Sequence, residues 1–307
     1  MTAASPAPRR FLVLPHTGRD ASKRAAADVI GALLEADTIP VLTAADVDDL
    51  VAADPVAARA EVLGQDVAIA GVELAIVLGG DGTILRAAET VRGTGIPLIG
   101  VNLGHVGFLA EAEREDLHEV VRRALARDYE VEERMTIDAR VLAPDGTEVY
   151  RTWALNEATV EKSSPGHMVE VVIEVDGRPL SAFGCDGLVM STPTGSTAYA
   201  FSGGGPVVWP EAEAILVVPL AAHALFARPL VLAPGTLLAV EVAEPTASPG
   251  VLWCDGRRST PLEPGFRVEV ARGREPVYLA RLNRGEFTDR LVRKFDLPVS
   301  GWRGASA

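Results

Sequence analysis

The segment Gly79-Gly80-Asp81-Gly82-Thr83 sets one carboxylate among three glycines, directly after the apolar run Leu74–Leu78. Glycines at such a turn let the main chain approach a ligand with no Cβ in the way. A helix that begins there offers unpaired N–H groups to an anion. A carboxylate beside a phosphate cradle repels its ligand unless it has a task. The tasks open to Asp81 are holding Mg²⁺ or accepting the proton of an attacking hydroxyl. A plainer account of the same residues is a tight strand-to-helix turn with Asp81 as the helix cap. Two familiar nucleotide motifs do not fit: the third small residue of the dinucleotide fingerprint would fall at Leu85, and none of Lys23, Lys162 and Lys294 follows a glycine as a P-loop requires.

A second group is Asp186-Gly187, an apolar strand Leu188–Met190, then Ser191-Thr192-Pro193-Thr194-Gly195-Ser196-Thr197-Ala198-Tyr199. Its hydroxyls suit phosphate and ribose without adding charge, and Tyr199 can stack on a base or bond a ribose. The glycine-rich run Ser202–Pro206 follows, which favours a ligand loop over a capped turn with solvated hydroxyls. Asn156-Glu157, after the strand ending at Leu155, puts an amide beside a carboxylate, a pair able to read ribose hydroxyls or an adenine edge. No G-x-S-x-G elbow or H-E-x-x-H motif argues for a covalent or zinc mechanism.

In order along the chain stand Gly79–Thr83, Asn102-Leu103-Gly104-His105-Val106-Gly107-Phe108-Leu109, Asn156-Glu157, Asp186–Tyr199 and Pro219–Pro229 with His223 and Arg228. This set strongly resembles the NAD kinases, above all the actinobacterial ones, from about Phe11 to Gly304. The first motif alone is shared with diacylglycerol and sphingoid lipid kinases and phosphofructokinases; the joint set is specific. The resemblance implies phosphorylation of the 2′-hydroxyl of the adenosine ribose of NAD to give NADP, with ATP as donor and Mg²⁺ or another divalent cation. It implies Asp81 as proton acceptor with Gly82 beside it, and Arg86 adding positive charge to the nucleotide site. It places Phe108 beside the nucleotide and His167 at its edge. It gives dinucleotide contacts to Asn156, Glu157, Asp186, Thr194, Thr197, Ala198, Tyr199, Ala200, Phe201 and Ser202, with Ala221 on a neighbouring wall. The plainer accounts are core packing for Phe108 and structural imidazoles for His105 and His223. In the family, the position of Gly184 is Arg in strictly ATP-dependent members and Gly in those that also accept inorganic polyphosphate or NADH. The resemblance therefore implies a broader donor range here, although a glycine also suits a strand end. It further implies a homodimer or homotetramer with contacts through the β-rich half.

Two other readings remain at this point: a lipid kinase sharing the Gly79–Thr83 turn, and a catalytically silent NAD-binding regulator. The net charge of −13 weighs against the first, and retention of Asp81 with Asn156-Glu157 against the second.

The elements that must position these residues change character midway. Phe11–Leu14, Pro40–Leu42, Leu74–Leu78 and Ile96–Val101 read as short buried strands. Ala21–Ala36, Ile84–Arg92 and Arg114–Arg127 read as helices between and after them. That alternation predicts a parallel sheet with helices on its faces. From Met135 onward, hairpins dominate: Thr136–Ala143 with Glu148–Leu155, and Met168–Val175 with Arg178–Phe183. Further short strands are expected at Ile215–Val218, Leu230–Leu232, Leu237–Val242, Val251–Cys254, Arg267–Ala271 and Val277–Arg281, and a closing helix at Phe287–Phe295. The expected fold is an α/β N-terminal domain with a parallel Rossmann-like sheet (NAD kinase/diacylglycerol kinase-like) plus a mainly β C-terminal domain. Residues 1–134 with 287–307 would form the first, and residues 135–286 a β-rich NAD-binding and oligomerisation domain.

Composition sets the outer limits. With 307 residues, 48% hydrophobic and 23% charged, the chain is of ordinary globular type. An excess of acid argues against nonspecific binding to nucleic acid and against anionic membrane surfaces. No apolar run is long enough to span a bilayer or to serve as a signal-peptide core. Two cysteines, Cys185 and Cys254, cannot build a disulfide framework, so the expected location is the cytoplasm.

Overall fold

The computed structural model describes residues 8–16, 18–104, 107–244, 246, 248–282 and 287–299. The chain divides into two compact units, residues 1–133 with 277–307, and residues 134–276.

The first unit opens with β1 (Arg10–Pro15), α1 (Asp20–Glu35), β2 (Ile39–Leu42), α2 (Val47–Ala53), β3 (Glu61–Val62), β4 (Leu74–Leu78), α3 (Asp81–Val91), β5 (Leu98–Asn102), β6 (Ala112–Glu113), α4 (Leu117–Ala126) and β7 (Glu130–Arg134). β1 pairs in parallel with both β2 and β4, and β4 pairs in parallel with β5. All five residues of β4 are fully buried, which is why the strand is apolar at every position rather than alternating. α1 lays Ala25, Ala26, Val29, Ile30 and Leu33 into the same core. That spacing is one face of a helix.

The second unit holds β8 (Ile137–Leu142), β9 (Glu148–Ala154), β10 (Glu157–Lys162), β11 (Val169–Val175), β12 (Arg178–Cys185), β13 (Gly187–Ser191), α5 (Tyr199–Ser202), β14 (Ile215–Leu220), β15 (Leu230–Leu232), β16 (Leu238–Val242), β17 (Gly250–Cys254), β18 (Arg258–Leu262) and β19 (Arg267–Arg272). They form two six-stranded antiparallel sheets, ordered β15-β14-β13-β10-β17-β18 and β12-β11-β16-β19-β8-β9. One core joins them, with Ile137, Val141, Val171 and Val268 from one sheet and Val160, Leu188, Met190 and Leu252 from the other. Burial alternates along β8, β11 and β17, as expected for strands with one face on the core.

The chain then returns to the first unit through β20 (Val277–Arg281) and α6 (Phe287–Phe295). The first sheet reads β3-β2-β1-β4-β5-β20-β7, with β6 on β5. Several elements differ from expectation. The sequence predicts Val277–Arg281 in the β-rich half and a return at residue 287. The structure returns at Val277, because β20 pairs in parallel beside β5 and buries Val277, Leu279 and Ala280. α3 begins at Asp81 rather than Ile84, and α4 begins at Leu117 after a short 3-10 turn. β7, with the sequence Glu-Val-Glu-Glu-Arg, carries no apolar pattern; it is a strand by pairing at the edge of the sheet. β10 opens at Glu157, with Asn156 just before it, at the corner where the chain passes from one antiparallel sheet to the other.

Candidate functional site

In the first unit the chemistry gathers on Asp81. The helix cap is Gly80, with no side-chain bond, and Asp81 is the first helical residue, where the α3 dipole favours its charge. Its carboxylate is gripped from outside the helix. The Phe108 amide donates to Oδ2 at 3.0 Å and the Leu109 amide to Oδ1 at 3.1 Å. Gly107 makes that approach possible, since a Cβ there would fall within 2.8 Å of the Asp81 Cγ. Gly79 is constrained in the same way by the Thr83 side chain beneath it, whereas Gly82 faces open space.

The segment that holds Asp81 is itself held. Arg290 Nη1 donates to the Phe108 carbonyl at 3.1 Å, and Arg281 Nη1 to the Leu109 carbonyl at 3.1 Å. Both guanidinium groups meet the buried carboxylate of Glu111, at 2.9 and 3.2 Å. A cavity of about 510 Å³ adjoins this group, lined by Asn102, Gly107, Glu111, Asp116, Arg290 and Arg293 among others. The Phe108 ring packs on Phe287 and Phe295, with centroids 6.0 and 5.7 Å away, so core packing describes it. Arg86 donates to the Pro15 carbonyl at 2.5 Å and lies 3.5 Å from Asp46 Oδ1. The charge expected to serve a nucleotide is thus shared with Asp46. His105 lies outside the described residues.

In the second unit Asn156 and Glu157 are seated by Asp255. The Asp255 carboxylate accepts from the amides of Leu155 at 2.9 Å, Asn156 at 2.8 Å and Glu157 at 3.3 Å, and from Arg258 Nη2 at 2.9 Å. Arg258 in turn bonds the Trp153 carbonyl at 2.7 Å and lies over the Trp153 ring. Glu157 Oε2 is buried and has no hydrogen-bond partner. Burial, reinforced by the Asp255 charge and opposed by a bond from the Tyr199 amide, pushes the Glu157 carboxyl up to about 8. Burial also raises Asp255, against the bonds it accepts. Beside Glu157 opens a cavity of about 300 Å³ lined by Thr159, Glu161, Tyr199, Trp253 and Gly256.

The hydroxyl-rich turn is mostly occupied internally. Ser191 bonds the Asn156 carbonyl at 3.1 Å, Thr192 the Leu155 carbonyl at 2.5 Å, and Ser196 the Val208 carbonyl at 3.1 Å. Thr194 accepts from Arg134 at 3.5 Å and Thr197 bonds the Thr194 carbonyl at 3.4 Å. These hydroxyls shape the turn instead of standing free for phosphate. The expected helix opening is a single 3-10 turn, Thr194–Thr197, followed by the four residues of α5. Ala200 is fully buried against Val189 and Val218, which leaves Tyr199, Phe201 and Ser202 exposed and Ala198 half-buried.

Gly184, Asp186 and Ala221 come together. The His223 amide donates to the Gly184 carbonyl at 2.8 Å and the Asp186 amide to the Leu220 carbonyl at 3.0 Å. Ala221 between them has φ 46°, a left-handed backbone unusual for alanine. Lys162 Nζ bonds Asp186 Oδ1 at 2.5 Å. His167 is exposed on the loop before β11. Among the described residues no three His, Cys, Asp or Glu side chains cluster as a metal cage.

Sequence reasoning missed Asp255, Lys162, Glu111 and Arg290. Only Asp255 carried a local signal, the Asp-Gly turn between two strands.

Comparison with known proteins gives the family. Residues 23–129 match the ATP-NAD kinase N-terminal domain and residues 155–282 the ATP-NAD kinase C-terminal domain. The chain is 62% identical to the NAD kinase of Leifsonia xyli over 298 residues, covering 97% of this chain and 98% of that one. It is 58% identical to NAD kinase 2 of Streptomyces coelicolor over 299 residues, covering 97% of each. Its fold superposes on yeast NADH kinase complexed with NADH at a TM-score of 0.86 and 21% identity, over 98% of this chain and 91% of that one. It superposes on an Archaeoglobus fulgidus NAD kinase in complex with ATP at 0.69 and 25% identity, over 94% and 98%. With both domain models matched in order and near-full-length relatives at this identity, the chain belongs to the ATP-NAD kinase family.

Proposed function

We propose that this chain transfers the terminal phosphoryl group of Mg²⁺-ATP to the 2′-hydroxyl of the adenosine ribose of NAD, giving NADP. The observation that carries the reading is the Asp81 carboxylate. Each oxygen accepts one backbone N–H, so each keeps a lone pair for a substrate hydroxyl. The ribose oxygen forms a bond to the γ-phosphorus, the bond from that phosphorus to the bridging oxygen of ADP breaks, and the hydroxyl proton passes to Asp81. Such a transfer needs positioning and charge stabilisation more than a covalent nucleophile. Mg²⁺ would arrive bound to the donor phosphates and neutralise charge that the Asp81 carboxylate would otherwise repel.

The second unit supplies the dinucleotide contacts. Glu157 and Asn156 serve the ribose and base, Tyr199 and Phe201 offer exposed rings, and Asp186, Ala221 and Gly184 form one further wall. Gly82, Arg86, His167, Thr197, Ala198 and Ser202 complete the assignment, with Phe108, Thr194 and Ala200 supporting it through packing. A Cβ at Gly184 would lie 2.7 Å from Glu170 Oε1 and 3.2 Å from Met168 Sδ. The glycine thus leaves that wall uncrowded, in keeping with use of polyphosphate and NADH beside ATP and NAD. Exposed Trp209, Leu225 and Phe226 support a homodimer or homotetramer. The free thiols of Cys185 and Cys254 suit the cytoplasm.

The test is purified protein with NAD, ATP and Mg²⁺, read as NADP formed, with polyphosphate and NADH in parallel. Asp81→Asn should keep the fold and lose about a hundredfold or more in kcat, as expected for loss of a general base. Near-normal turnover by a folded Asp81→Asn sample overturns the assignment.

A further inference from the structure

Phe108 C=O and Leu109 N–H belong to one peptide group. Its oxygen accepts from Arg290 Nη1 at 3.1 Å, and its N–H donates to Asp81 Oδ1 at 3.1 Å. A guanidinium and the Asp81 carboxylate are therefore joined end to end through a single peptide. We propose that Arg290 is a positioning residue for Asp81, acting through the Phe108–Leu109 peptide, with Glu111 as the group that fixes Arg290.

Three features carry this. First, hydrogen bonds in series polarise one another, so a cation on the carbonyl strengthens the N–H bond to the carboxylate. Second, Arg290 is fixed by charge at its other side: Nη2 bonds Glu111 Oε2 at 2.9 Å, and Glu111 is anchored through Oε1 by the Leu282 amide at 3.0 Å. The Arg290 and Glu111 side chains are only 18% and 2% exposed, which keeps the pairing out of high-dielectric water. Third, the same helix that brings Arg290 brings Phe287 and Phe295 onto the Phe108 ring. α6 thus grips residue 108 by its side chain and by its carbonyl. Arg281 differs in kind. It bonds the Leu109 carbonyl, which belongs to the next peptide, and so steadies the segment without entering the chain that ends on Asp81.

The inference rests on the NAD kinase reading for its kinetic readout alone, so the test has two arms on the full chain. In the first, Arg290→Gln and Arg290→Lys are compared with the unaltered protein in the NADP assay. Gln should lower kcat roughly ten- to a hundredfold, the scale for a misplaced catalytic group. KM for NAD and ATP should stay within about twofold, and Lys, which keeps a cation at the carbonyl, should recover part of the loss. In the second arm, no activity is needed. The Leu109 amide resonance, in protein labelled with ¹⁵N-leucine, should move upfield in Arg290→Gln in the same direction as in Asp81→Asn. An unmoved Leu109 amide, or a Gln variant that loses melting temperature while kcat stays unchanged, overturns the proposal. If the unaltered protein makes no NADP, the functional reading fails, and the amide arm alone still decides this one.

Discussion

The most quantitative consequence concerns Glu157. An ordinary glutamate titrates near 4.5, and in the folded chain this one is pushed up to about 8. At about 1.4 kcal/mol for each tenfold change in acidity, the difference comes to about 5 kcal/mol between the protonated and ionised forms of the native state. The native state binds this proton more tightly than the unfolded chain, so stability falls as pH rises. The contribution is whole below about pH 4.5 and lost by about pH 8. Replacement by Gln keeps the shape and removes the titration. Measured by urea unfolding from pH 5 to pH 8, Glu157→Gln should gain about 3 kcal/mol on the unaltered protein across that range. The cause is physical and local: a buried carboxyl with one oxygen unpaired, beside the Asp255 charge. Parallel stability curves for the two proteins, or a variant equally destabilised at every pH, would refute the reasoning.

Two further perturbations separate seating from chemistry. Asp255→Ala frees three amides and leaves Arg258 without its carboxylate, so unfolding free energy should drop by about 3–5 kcal/mol, with KM for NAD rising more than kcat falls. Gly107→Ala drives a methyl into the Asp81 carboxylate, and should lower kcat at least about tenfold with KM for NAD little changed; a normal kcat would mean that the carboxylate need not sit where it does.

What the sequence made legible follows from distance along the chain. The Gly79–Thr83 turn, the strand before it and the helix after it are local events, and their signals lie within a dozen residues. The hairpins of the second unit were legible for the same reason, through Asp-Gly turns and alternation. The Asp186–Tyr199 segment was recognisable as a built turn, but not the use of its hydroxyls, since their partners at Leu155, Asn156 and Val208 sit in other elements. The groups that hold the site in place were least visible. Asp255 reaches Leu155 across 100 residues and Arg290 reaches Glu111 across 179. An arginine on a short terminal helix looks like any solvated charge until its carbonyl and carboxylate are beside it. β7 was missed because its strand state comes from a neighbour, not from its own residues.

That neighbour has a consequence for how the protein is made. β20 stands between β5 and β7 in the first sheet, yet it is synthesised after the whole second unit. On the ribosome, β7 must wait for a partner through more than a hundred residues of intervening chain, while residues 134–276 are complete and contiguous. The β-rich unit can therefore finish first, and the α/β unit closes its sheet only as the last segment emerges. Until then β6 covers only the Val101–Asn102 end of β5, the rest of that edge from Leu98 stays an open template, and a chaperone that shields unpaired strands should act on nascent chains that stop just short of Val277.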